Sequence, residues 1–329
     1  MQEEAAKMVR DVSDYAKYDP AFACDGLFVP RAKKGQALYD VGKTFDRGEI
    51  RFRGEQLTAA HQSVLLAVCA RTGRNGLIVP TKERERMALA SEPQVKDDVD
   101  VMLDELLESL LDSDAGGAAA EQNVAHVEVT PGSLLRDADL SLGGNGRARL
   151  VKLLHGLSST TVYRRVQGQG GISRILTFKH EDDHIQIMLN WRLAAAILGG
   201  GQFARISLFE RNDLRGPVSK ILHAWVCCHV RMGGRLSDGR GVRLDTLIPH
   251  VWGRRPCTDT EYWRRRAELK KALDEIGGLG GGDVFPSRRQ DLWQIRRPKD
   301  PYAHEPVEKW LSSPGVYYDE VERPKLVES

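Results

Sequence analysis

Two separated stretches of this chain share one order of elements: a helix with an apolar face, a short second helix, a strongly basic third helix and a β-hairpin. That order, met twice, limits the folds open to the chain more than any single motif does. In the later stretch, Pro217 to His229 (PVSKILHAWVCCH) puts Val218, Ile221, Leu222, Trp225 and Cys228 on one helical face, the spacing of a core helix. After the loop RMGGRLSDGRG, Asp245 and Gly253 bracket a short helix as N-cap and stop, and Pro249 limits its length. Thr258 and Glu261 stand three apart as a capping box and predict a long helix from about Asp259 to Gly277. Beyond GGLGGG, the segments DVFP and DLWQIRRP read as two strands around SRRQ.

The earlier stretch follows the same grammar. Ile50 to Arg53 reads as a strand, and LTAAHQSVLLAVCARTG as a helix capped by Thr58 with Val64, Leu65 and Val68 inward; GLIVP is a further strand. Thr130 and Pro131 occupy the N-cap and first helical positions of a short helix. Asn145 to Leu157 (NGRARLVKLLHGL) supplies the basic helix, with Leu150, Leu153 or Leu154, and Leu157 inward and Arg147, Arg149 and Lys152 outward. TTVYRRVQGQGGISRILTFK closes the unit as a Gly-tipped hairpin carrying Arg164, Arg165 and Arg174.

Helix, short helix, basic helix and hairpin is the order of a winged helix-turn-helix, so the expected fold class is α+β with two tandem winged helix-turn-helix domains. The helix from Asp259 has two distinct faces. Tyr262, Leu269, Leu273 and Ile276 recur as a buried stripe. Opposite them, Thr260, Arg264, Ala267 and Lys271 mix hydroxyl, small and cationic side chains, with Trp263 and Lys270 beside them, a face able to approach a groove closely. One cationic face is an ordinary solvated helix surface. Two such helices, each followed by a basic hairpin, point instead to the phosphates of double-stranded DNA. The expected DNA-binding set is therefore Thr260, Trp263, Arg264, Arg266, Lys270 and Lys271 on the later helix, Arg288 and Arg289 between its two strands, and, in the earlier unit, Arg147, Arg149 and Lys152 with Arg164, Arg165 and Arg174.

Net charge is only +2 over 329 residues, but it is unevenly placed. Glu83 to Asp114 holds 11 acidic against 3 basic residues (−8), Arg136 to Lys179 8 basic against 2 acidic (+6), and Ala204 to Arg297 19 basic against 11 acidic (+8). The expected division is an N-terminal arm (1–37), a first winged unit (38–190) with an acidic helical insert at about 83–122, a connecting helix and Gly-rich joint (191–203), a second winged unit (204–298) and a C-terminal tail (299–329). Within the insert, Val99, Leu103, Leu106 and Leu110 share one face, which suits local packing, competition with DNA or a partner surface. There is no apolar run near the ~18 residues of a membrane span, and the acidic start MQEEAAKMVRD lacks a signal-peptide core, so a cytoplasmic protein without a membrane partner is expected. Five cysteines, Cys24, Cys69, Cys227, Cys228 and Cys257, form no C-x-x-C pair and read as reduced thiols.

Nothing pairs into a catalytic constellation, so the expectation is a binder, not an enzyme, with no cofactor and no metal. DVGKT (Asp40 to Thr44) ends like a phosphate-binding loop, but Ala37 stands where the first glycine is required. LGGGQ (Leu198 to Gln202) follows an Asn190-capped helix and reads as a helix stop with an interdomain hinge. His180 and His184 in HEDDH read as a solvated turn, and His223 and Cys227 as core positions of one helix. A transcriptional repressor or autoregulator would use the same winged helices, although two dissimilar units suit asymmetric direct repeats better than the palindrome read by a simple dimer. A DNA-processing enzyme and a DNA-coating structural protein are the remaining readings.

Short motifs also recur in a familiar order: Asp19-Pro20-Ala21 with Gly26-Leu27-Phe28, Arg74-Asn75-Gly76-Leu77, Leu189-Asn190, Gly199-Gly200-Gly201-Gln202 with Arg205-Ile206-Ser207, Asp245-Thr246-Leu247 with Val251-Trp252, and the Arg-rich helix through Lys271-Ala272-Leu273. Collinear from about Asp19 to Pro298, they resemble the IncQ-type plasmid replication initiators, the RepC family, and more distantly the wider iteron-binding initiators. The resemblance implies tandem winged-helix domains that bind directly repeated iterons at a plasmid origin, help open the adjacent A+T-rich DNA and load a separate replicative helicase or primase. It also implies that homodimers and monomers have different tasks. The acidic insert and the tail beyond Pro298 depart from the family pattern.

Overall fold

The computed structural model describes residues 15–31, 37–45, 48–79, 105–107, 110, 124–166, 169–181, 183–198, 202–236, 241–279, 283–286 and 292–297. Strand β1 (Tyr15–Tyr18) leads into a 3-10 turn, Pro20–Ala23, whose N-cap Asp19 accepts a hydrogen bond from the Ala21 amide at 2.8 Å. After β2 (Phe28–Val29), β3 (Ala37–Phe45) and β4 (Gly48–Glu55) pair antiparallel, which places the DVGKT motif within a strand, where no loop can wrap a phosphate. β5 (Leu57–Thr58) runs into α1 (Ala59–Asn75), which starts at Thr58 as its sequence requires. The Thr58 amide donates to Nδ1 of His61 at 3.0 Å, so histidine takes the place glutamate or glutamine holds in a capping box. β6 (Leu77–Val79) pairs with β7 (Val124–Val129), and α2 (Pro131–Asp137) begins with Thr130 Oγ1 accepting from the Ser133 amide. In α3 (Gly146–Ser158), Leu150, Leu153, Leu154 and Leu157 are all buried.

The hairpin that follows α3 is a correction to the expected order. β8 (Thr161–Val166) pairs with β9 (Gln169–Arg174), but its other edge pairs with β4, giving a four-stranded antiparallel sheet β3-β4-β8-β9. The chain then enters β10 (Leu176–His180) and β11 (Ile185–Leu189), which join β7 and β6 in a second sheet, β10-β11-β7-β6. The second sheet thus holds the strand pair β10–β11, and the hairpin carrying Arg164, Arg165 and Arg174 belongs to the other sheet. Burial explains the arrangement: Leu176, Ile185, Ile187 and Leu189 are fully enclosed and supply the apolar face of the second sheet.

α4 (Trp191–Leu198) starts with Asn190 Oδ1 accepting from the Leu193 amide at 3.1 Å. β12 (Ala204–Ser207) and α5 (Leu208–Asp213) precede α6 (Pro217–His229), β13 (Val242–Arg243), α7 (Leu244–Trp252), α8 (Asp259–Gly277) and the strands β14 (Asp283–Pro286) and β15 (Leu292–Arg296). The last three strands form an antiparallel sheet in the order β13-β15-β14. α7 is capped at Arg243, not Asp245, and it continues through Pro249 to a left-handed Gly253 (φ 70°). Asp245 sits in its first turn, free to reach α8.

The two halves share one hydrophobic core that runs from Ala16 to Ile295. β1 pairs antiparallel with β12, Tyr15 opposite Ser207 and Tyr18 opposite Ala204, so this strand of the expected 1–37 arm puts Ala16 and Tyr18 into the core. Across the same seam Arg211 is 0% exposed. Its guanidinium donates to Ser63 Oγ (3.3 Å), Gln62 Oε1 (3.0 Å) and the Ala59 carbonyl (3.4 Å) in α1, and to the Lys220 carbonyl in α6. A buried guanidinium without hydrogen bonds would be costly, and here neutral acceptors satisfy it. Burial lowers its pKa to about 10, which still leaves it charged at neutral pH. In the expected 191–203 connection, Arg192 pairs with Asp19 at 2.6 Å and Lys17 Nζ donates to the Ile197 carbonyl at 3.0 Å, while Gly199 to Gly201 lie outside the described residues. Of the acidic insert, Leu106 and Leu110 are buried against Val124 and Met188. Val99, Leu103 and the 299–329 tail also lie outside the described residues.

Candidate nucleic-acid interface

α8 begins where its sequence says it should, but its capping is rearranged. Thr258 Oγ1 accepts from the Glu261 amide at 3.2 Å, whereas the Glu261 carboxylate reaches past Thr258 to accept from the Cys257 amide at 2.8 Å. That backbone bond, with Arg265 and Arg254 beside it, holds the Glu261 carboxyl below its ordinary pKa. The three consecutive arginines of this helix then divide. Arg265 is buried, donates to the Arg254 carbonyl at 2.7 Å and to Glu261 at 2.5 Å, and lies over the Trp252 ring. Arg266, placed by sequence among the DNA-binding residues, is only 7% exposed. It donates to Asp245 Oδ1 at 2.6 Å and to Tyr262 Oη at 3.0 Å, which makes it a tie between α7 and α8. Only Arg264 of the three faces solvent, together with Thr260, Trp263, Ala267, Lys270 and Lys271. The opposite face buries Leu269, Ala272, Leu273 and Ile276.

On α3, Arg147, Arg149 and Lys152 are exposed, with Arg147 reaching His180 at 3.3 Å on the ribbon β10–β11. The hairpin β8–β9 is less uniform. Arg164 is half-buried with its guanidinium 4.4 Å from the centroid of the Trp191 ring, and burial lowers its pKa. Arg174 donates to Thr161 Oγ1 at 2.8 Å and to the Ser159 carbonyl. Arg165 is exposed, opposite Glu49 in the strand register. Arg288 and Arg289 lie outside the described residues. Arg255, in the run WGRRPCTDT just ahead of the capping threonine, is also exposed in the loop entering α8.

Between α5 and α6, His223 Nε2 lies 3.2 Å from Glu210 Oε2 and 3.7 Å from Cys227 Sγ, with His223 and Cys227 buried and Glu210 partly exposed. Burial disfavours the imidazolium, but Cys227 and Glu210 outweigh it and raise the His223 pKa. His184 pairs with Glu128 at 2.9 Å beside the ribbon tip. The described cysteines are all free thiols. Among the described residues no group of three His, Cys, Asp or Glu side chains is placed to hold a metal ion, and no helix is long and apolar enough to cross a membrane.

Fold and surface together define a mixed α+β protein that carries two exposed cationic helix faces on one core. Over residues 11–299 the chain matches the family described as Replication protein C (RepC), and it belongs to that family of replication proteins. No curated protein matches it. Among solved structures, the crystal structure of selenomethionine derivatives of domains 2 and 3 of RctB is similar over 86% of this chain and 99% of that chain, at 11% sequence identity and a TM-score of 0.44.

Proposed function

We propose that this chain is a plasmid replication initiator that binds directly repeated sites in origin DNA through two winged-helix units. The later unit consists of α6, α7 and α8 with the ribbon β14–β15, and the earlier one of α1, α2 and α3 with β10–β11. Their sheets support the equivalence, because β13-β15-β14 and β7-β11-β10 are the same antiparallel order with the second ribbon strand in the middle. The observation that carries the reading is that both third helices turn cations to solvent: Arg147, Arg149 and Lys152 on α3, and Arg264, Lys270 and Lys271 on α8. Such faces neutralise phosphates and release counterions, which is binding chemistry and requires no catalytic group. Membership of the RepC family adds the expectation that binding promotes opening of adjacent A+T-rich DNA and recruits a helicase or primase.

The test is hydroxyl-radical footprinting of the full chain on duplexes containing tandem repeats and on scrambled controls. A non-enzymatic initiator of this design protects about two helical turns per monomer on repeat DNA, since two linked units occupy successive major grooves. Equal protection of scrambled DNA, or metal-dependent nicking of the repeat, would count against it.

A further inference from the structure

The outer face of α8 is not uniformly cationic. Thr260, Trp263 and Ala267 are exposed and follow one another along a ridge about one sixth of the helix circumference wide, at 3.6 residues per turn. By the same periodicity Arg264 and Lys271 flank this ridge on one side and Lys270 on the other. Trp263 is 65% exposed, more than any other large apolar side chain of the described residues. Two side chains of its own helix nonetheless lie against it. Tyr262 meets its ring edge-on, with centroids 5.1 Å apart and planes at 75°, and the Arg266 guanidinium lies 5.8 Å from its centroid. Arg266 is held in turn by Asp245 and the Tyr262 hydroxyl. A large aromatic ring with packed neighbours that is left facing solvent marks a contact surface.

In the major groove the apolar group on the base edges is the C5 methyl of thymine, and a helix lying there sets its flanking cations against the phosphates of the two groove walls. The geometry points to Trp263, with Thr260 and Ala267, as the residues that read thymine methyls, so that the site is selected by apolar contacts at T·A pairs as well as by hydrogen bonds. This rests on the DNA-binding reading above and adds a specificity-determining residue to it. Trp263 packs its ring over one thymine, while the two small side chains let the helix backbone come close to its neighbours.

The experiment uses the full-length chain to select its preferred duplex from a random-sequence pool. That duplex is then remade with uracil in place of thymine, one position at a time, a change that removes only the C5 methyl. Wild-type protein is expected to lose about fourfold in affinity at the contacted thymines, the equivalent of burying one methyl. At the thymine under the Trp263 ring, Trp263→Ala should bind the thymine and uracil duplexes equally, and Trp263→Phe should keep part of the discrimination there, while the neighbouring thymines keep theirs. An unchanged thermal midpoint shows that the exposed position has not perturbed the fold. Trp263→Ala that keeps full discrimination at every position where the wild type shows it, or a wild type that shows none, overturns the inference while leaving DNA binding intact. Tighter binding to single strands than to the duplex, with quenching of Trp263 fluorescence, overturns it in favour of base stacking. Failure of the wild type to bind any duplex overturns both this inference and the reading beneath it.

Discussion

Gly26 and Gly253 meet backbone to backbone: a β-carbon added to Gly253 would stand 2.4 Å from the Cα of Gly26. Both residues have left-handed φ angles, 83° and 70°. One turns the N-terminal segment ahead of β2 and the other ends α7, and beside them His250 Nδ1 lies 2.6 Å from Asp25. Gly253→Ala therefore adds a left-handed alanine to a clash with another backbone, and is expected to lower unfolding stability by about 2–4 kcal/mol. Urea denaturation measures this; a loss below about 0.5 kcal/mol, the usual scatter of neutral surface changes, would show that the contact is soft.

The arginines of α8 should separate by assay. Arg266→Ala breaks a tie to a half-exposed Asp245, so it should cost about 1–3 kcal/mol of stability, less than a fully buried pair would. Arg264→Ala should leave unfolding unchanged and cost about 1–3 kcal/mol in binding to repeat DNA. If Arg264 instead governs stability and Arg266 governs affinity, the side-chain placement on this helix is wrong.

Affinity for repeat DNA should fall steeply with salt. Each phosphate contact contributes about 0.9 to the log–log slope, so removing Arg149 or Lys152 should flatten it by about one unit without altering sequence preference. A slope unmoved by every exposed cation of α3 and α8 would place the phosphate contacts elsewhere.

His61 makes stability depend on pH. Burial, with help from nearby Lys152, lowers its pKa to about 4, against an ordinary value of 6.5. In between, the unfolded chain binds the extra proton, so the stabilisation is complete above about pH 6.5 and is lost as pH falls towards 4, by up to about 3 kcal/mol. His61→Gln preserves an acceptor for the Thr58 amide and should flatten this limb of the curve. Denaturation midpoints that fall equally in both proteins over that range would assign the acid sensitivity to other groups.

Because α3 and α8 rest on one core, the two cationic faces are held at a fixed separation and phase. Inserting half a helical turn of DNA, about five base pairs, between the two protected segments should abolish the gain from having both units, whereas a full turn should restore part of it. Binding indifferent to the insertion would mean that the halves move independently.

Local chemistry in this chain was legible from sequence and long-range pairing was not. Thr58, Thr130 and Thr258 announce helix starts because a capping side chain needs only its own next turn, and each starts a helix. Asp245 looked equally good as a cap, but its carboxylate is used by Arg266 from another helix, a partner local sequence does not display. The hairpin β8–β9 looked like the ribbon of the first unit because it follows the basic helix and has glycines at its tip. What decides its sheet is the free edge of β4, more than a hundred residues earlier. Arg211, Arg265 and Arg266 defeat sequence reading for another reason: arginine is ordinarily exposed, and acceptors from other parts of the fold help hold these three inside. The outer face of α8 was readable because periodicity alone fixes which side chains share it.

The pairing of β1 with β12 also has a consequence for the chain as it is made. Tyr15–Tyr18 leaves the ribosome well before its hydrogen-bonding partner, Ala204–Ser207, is synthesised. At ordinary elongation rates that is a wait on the order of ten to forty seconds. Throughout it, the buried side chains Ala16 and Tyr18 have no sheet to join. Nascent chains stalled before Ala204 should therefore hold an open strand edge at Tyr15–Tyr18, the kind of edge that chaperones cover and that aggregation exploits.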